Sequence, residues 1–210
     1  MSKQTRDKIL DASLSMFNAQ GEPNVTTNHI ADEIGISPGN LYYHYRNKND
    51  IVEQLFARYE TQMDRALLVP EGRLPTLEDV WLQLHSVFDC MWAFRFLYRD
   101  LVDILSRNRK LKQRFSRIMN RASTSAAAML KGLSKAEILR ATDDEIRATS
   151  ENVLLVATFW INYNTVRSAK TEQTRKELTH GIYQAMLLIA PFLRDAERMH
   201  LNALVLAYRR

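Results

Sequence analysis

Ile30-Ala31-Asp32-Glu33-Ile34-Gly35-Ile36-Ser37-Pro38-Gly39-Asn40-Leu41-Tyr42 is the stretch on which the reading of this 210-residue chain turns. Its apolar residues recur at helical spacing on either side of Gly35. This predicts a short helix from Thr27 to about Ile34 and a very short one from Ser37 to about Tyr43. Thr26 or Thr27 can cap the free N–H groups of the first helix, and Gly35 ends it. Pro38 stands in the first turn of the second, where a missing N–H costs little. Two short helices about a tight turn have helix-turn-helix spacing. Ala31 is small where the helices must approach, and Gly35 can take the positive φ of the turn. Ile30, Ile34, Ile36 and Leu41 can form the small core that fixes the crossing angle.

The second helix then presents Pro38, Gly39, Asn40, Tyr42, Tyr43 and His44 outward. A DNA duplex needs phosphate donors flanking a groove-reading element. Thr26 and Thr27 lie at a helix N-terminus, where free N–H groups favour an anion. Tyr42, Tyr43, His44 and Lys48 cluster at the end of this helix and the start of the next. Pro38 and Gly39 permit close approach to bases, and Pro38 can touch a thymine methyl. Tyr45 is expected in the core. Tyr42 and Tyr43 are adjacent on a helix and cannot both face one small core.

Outward from this segment nothing alternates with period two, so the chain is expected to be all-α with about nine helices. A first helix reads from Gln4 to Ala19, with Ile9, Ala12, Leu14, Met16 and Phe17 inward and Gly21 as its stop. A fourth starts near Asn47 and Lys48 and carries Ile51, Leu55, Tyr59 and Met63 on one face. After a break at Pro70–Pro75, periodicity covers 77–91, 94–106 and 109–131. Thr76 with Asp79, Ser134 with Glu137 and Thr142 with Glu145 have capping-box spacing. The last of these opens a long helix to about Ser168. A final stretch runs from Thr171 to about Tyr208, with a kink at Pro191.

From Arg6 to about Phe56 the chain resembles the TetR family of bacterial transcriptional regulators. The resemblance is carried by Ile9-Leu10-Asp11-Ala12, Phe17, Gly21, Thr26-Thr27, Ile30-Ala31, Ile34-Gly35-Ile36-Ser37, Gly39, Leu41-Tyr42-Tyr43-His44-Tyr45 and Asn47-Lys48. It implies a three-helix helix-turn-helix DNA-binding domain, residues 1–48, and a helical effector-binding and dimerisation domain, residues 49–210. It implies a homodimeric repressor, released from a pseudo-palindromic double-stranded operator by a small-molecule effector. Asn28 stands where some members carry a base-reading side chain. The expected DNA-binding set is Thr26, Thr27, Asn28, Ser37, Pro38, Gly39, Asn40, Tyr42, Tyr43, His44 and Lys48. Glu22-Pro23-Asn24-Val25 departs from the family pattern between the first two helices. The alternative reading is a helical protein-interaction module that turns the same head toward a protein partner.

Charge does not decide between them. The chain carries 29 Lys/Arg against 24 Asp/Glu, a net +5. Residues 1–66 hold seven of the basic and nine of the acidic residues, a net −2, so DNA binding must rest on placement rather than bulk charge. The single cysteine, Cys90, excludes an intrachain disulfide scaffold. The apolar runs are about half the ~20 residues of a membrane helix, and no signal sequence is visible, so a cytoplasmic location is expected. No nucleotide-binding glycine pattern, nucleophile elbow or paired histidines appear. No catalytic residues, metal or cofactor are expected, and the chain is not read as an enzyme.

Toward the C-terminus, a pair of aromatic-rich stretches can enclose an apolar cavity, whose candidate lining is His85, Phe88, Trp92, Phe96, Phe159, Trp160 and Tyr163. A filled core remains the other reading. An apolar or aromatic effector is favoured weakly. The helices around Val153–Ile161 and Ile182–Leu193 are apolar on nearly all faces. Burial against a partner subunit in a four-helix interface explains the surplus. Arg107, Lys110, Arg114, Arg117 and Arg121 share one helix face. It reads as a solvated face, an anionic-ligand contact or an added DNA contact.

Overall fold

The computed structural model describes residues 2–167 and 174–205. Among them lie eleven α-helices, one 3-10 turn and no strand. The helices are α1 (Ser2–Gln20), α2 (Thr27–Glu33), α3 (Pro38–His44), α4 (Lys48–Ala66), α5 (Leu77–Ala93), α6 (Arg95–Arg99), α7 (Leu101–Arg107), α8 (Arg109–Lys135), α9 (Asp143–Arg167), α10 (Arg175–Ile189) and α11 (Asp195–Val205). Two compact units result, residues 1–62 with 94–114 and residues 63–93 with 115–210.

In the first unit Ile9, Leu10 and Phe17 of α1 are buried. So are Ile30 and Ala31 of α2, Leu41 of α3, Tyr45, and Ile51, Val52, Leu55, Phe56 and Tyr59 of α4. Ile34 and Ile36 are half-buried, so the turn between α2 and α3 rests on Ile30, Ala31 and Leu41. Gly35 closes α2 at φ 66°, with Ile36 N–H donating to Ala31 O at 3.0 Å and Gly35 N–H to Asp32 O at 3.2 Å. This is a Schellman end. A Cβ at Gly35 would touch nothing within 4 Å, so backbone conformation alone calls for glycine there.

The helix expected over 94–106 is two, α6 and α7, broken at Asp100. Its side chain accepts the Glu22 N–H at 3.3 Å and lies 3.7 Å from Arg99 Nε. Asp is a poor residue for a helix interior when its carboxylate has such partners. α6 lies across the end of α1. Phe96 packs on Phe17 with centroids 5.3 Å apart, Asn18 Oδ1 accepts the Phe96 N–H at 3.1 Å, and Arg99 donates to Phe17 O at 2.6 Å. A cation on the last carbonyls of a helix is favourable.

In the second unit α10 packs against both α5 and α9. Gly181 makes this possible, because a Cβ there would come within 2.5 Å of Phe88 and 2.6 Å of Trp160. Trp160 Nε1–H donates to Glu177 O at 2.7 Å. Pro191 breaks the last stretch rather than kinking it. α10 ends at Ile189, a 3-10 turn spans Ala190–Phe192, and α11 follows. An isolated bridge between Leu139 and Leu193, with Arg140 N–H donating to Phe192 O at 2.8 Å, ties this turn to the α8–α9 connection. The Thr76–Asp79 and Thr142–Glu145 boxes form, each with reciprocal bonds. The Ser134–Glu137 spacing opens no helix: α8 runs through Ser134 and closes at Glu137, φ 59°. Ser168, Thr171 and Tyr208, the expected ends of the last two stretches, lie outside the described residues.

Candidate nucleic-acid interface

The outer face of α3 is bare. Ser37, Pro38, Gly39, Asn40, Tyr42 and Tyr43 are exposed, while Leu41 and Tyr45 are buried beneath them. Tyr43 is 80% exposed and Tyr42 47%. Tyr45 is fastened underneath, its hydroxyl 3.2 Å from Arg6 Nε and 3.3 Å from Arg6 O. An exposed tyrosine pair on a helix whose other face is anchored is positioned without being consumed by packing.

The flanking hydroxyls are set by caps. Thr26 Oγ1 accepts the His29 N–H at 3.2 Å, and His29 Nδ1 completes the box with the Thr26 N–H. Ser37 Oγ accepts the Asn40 N–H at 3.2 Å. Each hydroxyl keeps its own proton to donate. Thr27 Oγ1 lies 2.9 Å from the Tyr42 hydroxyl, joining the α2 N-terminus to the outer face of α3. The Tyr43 and His44 rings meet edge-on at 5.2 Å. Asn28 is exposed at the start of α2.

Lys48 is placed differently from the others. Its ammonium turns inward, 3.1 Å from Glu22 Oε1, and donates to Glu22 O at 2.8 Å and Val25 O at 3.0 Å. Lys48 opens α4. No local signal marks this inward turn, because a glutamate in a loop ordinarily faces water. Here Glu22 is 1% exposed.

Four of the five residues of the basic stripe pair within the chain, and Arg117 is exposed. In the first unit Lys110 meets Glu53 at 3.2 Å and Arg114 meets Glu60 at 2.8 Å. Arg107 meets Glu22 at 2.7 Å and Asp103 at 2.8 Å. In the second unit Arg121 meets Asp64 at 2.6 Å. The acidic residues of α4 at 53, 60 and 64 share one face, and that spacing was the available signal.

The seven aromatic and histidine candidates do not gather in one enclosure. Phe96 belongs to the first unit, packed on Phe17. Phe88 is buried in the second beside the notch of Gly181. Trp92 is half-buried on α5. His85, half-buried on the same helix, packs against Trp81 with the rings tilted by 59° and centroids 4.4 Å apart, and burial pushes its imidazole pKa down. Phe159, Trp160 and Tyr163 do meet. With Leu155, Val156, Arg167, His180, Gln184 and Leu188 they line an open groove of about 390 Å³ between α9 and α10. Phe159 and Tyr163 sit on the exposed face of α9 with Leu155 and Val166. No three His, Cys, Asp or Glu side chains among the described residues gather as a metal site, and none of the described helices is long and apolar enough to cross a membrane.

Residues 9–55 match the family model described as bacterial regulatory proteins, tetR family, and residues 58–201 match TetR, bacterial transcriptional repressor. The crystal structure of a TetR-family transcriptional regulator from Marinobacter aquaeolei VT8 superposes with a TM-score of 0.90. It is 42% identical, and the match covers 98% of this chain and 99% of that one. The HTH-type transcriptional regulator TtgW of Pseudomonas putida is 38% identical over 56 residues, 27% of this chain and 42% of that protein. AcrR of Shigella flexneri, also an HTH-type transcriptional regulator, is 27% identical over 74 residues, 35% of this chain and 34% of that protein. The chain thus spans less than half the length of these two curated relatives.

Proposed function

The chain belongs to the TetR family of bacterial transcriptional regulators, and we propose that it acts as a homodimeric repressor that a small molecule releases from a pseudo-palindromic operator. The observation that carries the reading is the bare outer face of α3 anchored from below by Leu41 and Tyr45. Such a helix enters a major groove with Ser37, Pro38, Gly39, Asn40, Tyr42, Tyr43 and His44 toward the DNA. Thr26, Thr27 and Asn28 at the start of α2, and the N–H end of α4 at Lys48, meet phosphates on either side. Residues 1–48 form the reading head, and residues 49–210 the dimerisation and effector region.

The α9–α10 face supports a two-fold dimer. Leu155, Phe159, Tyr163 and Val166 form one exposed apolar stripe, which a second copy would bury. Phe159 and Tyr163 therefore belong to that interface rather than to a closed cavity. An effector of apolar or aromatic character would enter the second unit. It must favour the DNA-incompetent state by its difference in affinity for the two states. A DNase footprint of the purified protein on the DNA beside its own gene tests the reading. A protected, roughly palindromic site is the expected result. No protection at low salt, followed by no enrichment from random-sequence duplexes, overturns it.

A further inference from the structure

Glu22 stands in the loop between α1 and α2, and it is the buried hub of an ion cluster whose cations are partly exposed. A carboxylate 1% exposed is costly unless paired. Glu22 has two cations, Lys48 at Oε1 (3.1 Å) and Arg107 at Oε2 (2.7 Å). An ammonium has three donors. Lys48 donates to Glu22 O and Val25 O, and its charge lies 3.1 Å from Glu22 Oε1 as an ion pair without a hydrogen bond. Arg107 has Asp103 as well. Neutralising Glu22 therefore leaves Arg107 with a carboxylate and Lys48 with carbonyls only.

Lys48 follows α3 in the chain by four residues, and residues 1–66 are net negative, so one more cation there matters. Charge on phosphates supplies sequence-independent affinity. We propose that Glu22 is a specificity-determining residue: it ties the partly exposed Lys48 ammonium to the protein rather than to DNA. Affinity for arbitrary DNA is thereby kept low, and discrimination is left to the face of α3. This rests on the operator-binding reading above.

The test is fluorescence anisotropy over a salt series with two labelled duplexes, one carrying the footprinted site and one with that site scrambled. Glu22→Gln keeps the size and removes the charge. It is expected to bind the scrambled duplex several-fold tighter at low salt, with the slope of log K against log salt steeper by about 0.9 per protomer. Adding Lys48→Gln is expected to restore the original slope, which a purely structural role for Glu22 would not produce. An unchanged slope in E22Q, or a steepening that survives Lys48→Gln, overturns the inference. Failure of the unsubstituted protein to bind either duplex overturns the operator-binding reading instead. If E22Q does not fold, acylation of the unsubstituted protein with acetic anhydride decides, read by mass spectrometry. Lys48 is expected to react at least roughly ten-fold more slowly than the exposed Lys8 and Lys110, because its ammonium is protected in the cluster. Equal rates overturn the inference.

Discussion

The hydroxyls of Thr27 and Tyr42 lie 2.9 Å apart, one at the N-terminus of α2 and one on the outer face of α3. The bond fixes the tyrosine ring against the helix that flanks it. Tyr42→Phe removes this bond and the phenolic donor while keeping the ring. A hydrogen bond to a charged phosphate contributes about 1.5–3 kcal/mol, so operator affinity should fall roughly ten- to hundred-fold. Because the site is exposed, the melting temperature should hardly move. Anisotropy and thermal melts on one preparation check both statements, and unchanged affinity would remove Tyr42 from the contact.

Val166 is 90% exposed and shares the outer stripe of α9 with Leu155. Replacing both by Glu should convert the dimer to a monomer in sedimentation equilibrium and abolish footprinting, because two linked heads are needed for two half-sites. A dimer that survives the double substitution would place the interface elsewhere.

Gly181→Ala puts a Cβ into space held by Phe88 and Trp160. Overpacking of this kind costs about 1–3 kcal/mol. The denaturant midpoint should drop accordingly, and trimming Phe88 to Leu in the same chain should recover some of the loss.

Burial pushes the Cys90 thiol up to about 12. A thiol kept protonated is a poor nucleophile. Ellman's reagent at pH 8 should find no fast-reacting thiol in the folded chain and one per chain in guanidinium. The pKa is higher in the folded state, so the neutral thiol contributes stability that is intact below the ordinary value near 9. That contribution is lost as pH rises toward 12. Rapid labelling of the folded protein at pH 8 would contradict this.

The helix-turn-helix was legible because its signals are local. Gly35, Pro38, the caps at Thr26 and Ser37, and the adjacency of Tyr42 and Tyr43 each act within a turn of helix. What escaped depends on distant partners. Glu22 reads as an ordinary loop glutamate until Lys48 and Arg107, 26 and 85 residues away, close on it. Lys110, Arg114 and Arg121 read as part of a solvated face until the carboxylates of α4 lie beside them. Phe96 and Phe159 are both aromatic at helical spacing, yet one packs into the first unit and the other faces outward from the second. Periodicity records that a residue belongs to a face. It does not record what that face meets.

Gly181, Phe88 and Trp160 share one small volume on three helices far apart in sequence. No one of them can enlarge alone. Among relatives of this chain, a bulkier residue at position 181 should persist only where position 88 or 160 has shrunk. The three positions should therefore be inherited as a single unit, a change at one leaving its trace at the others.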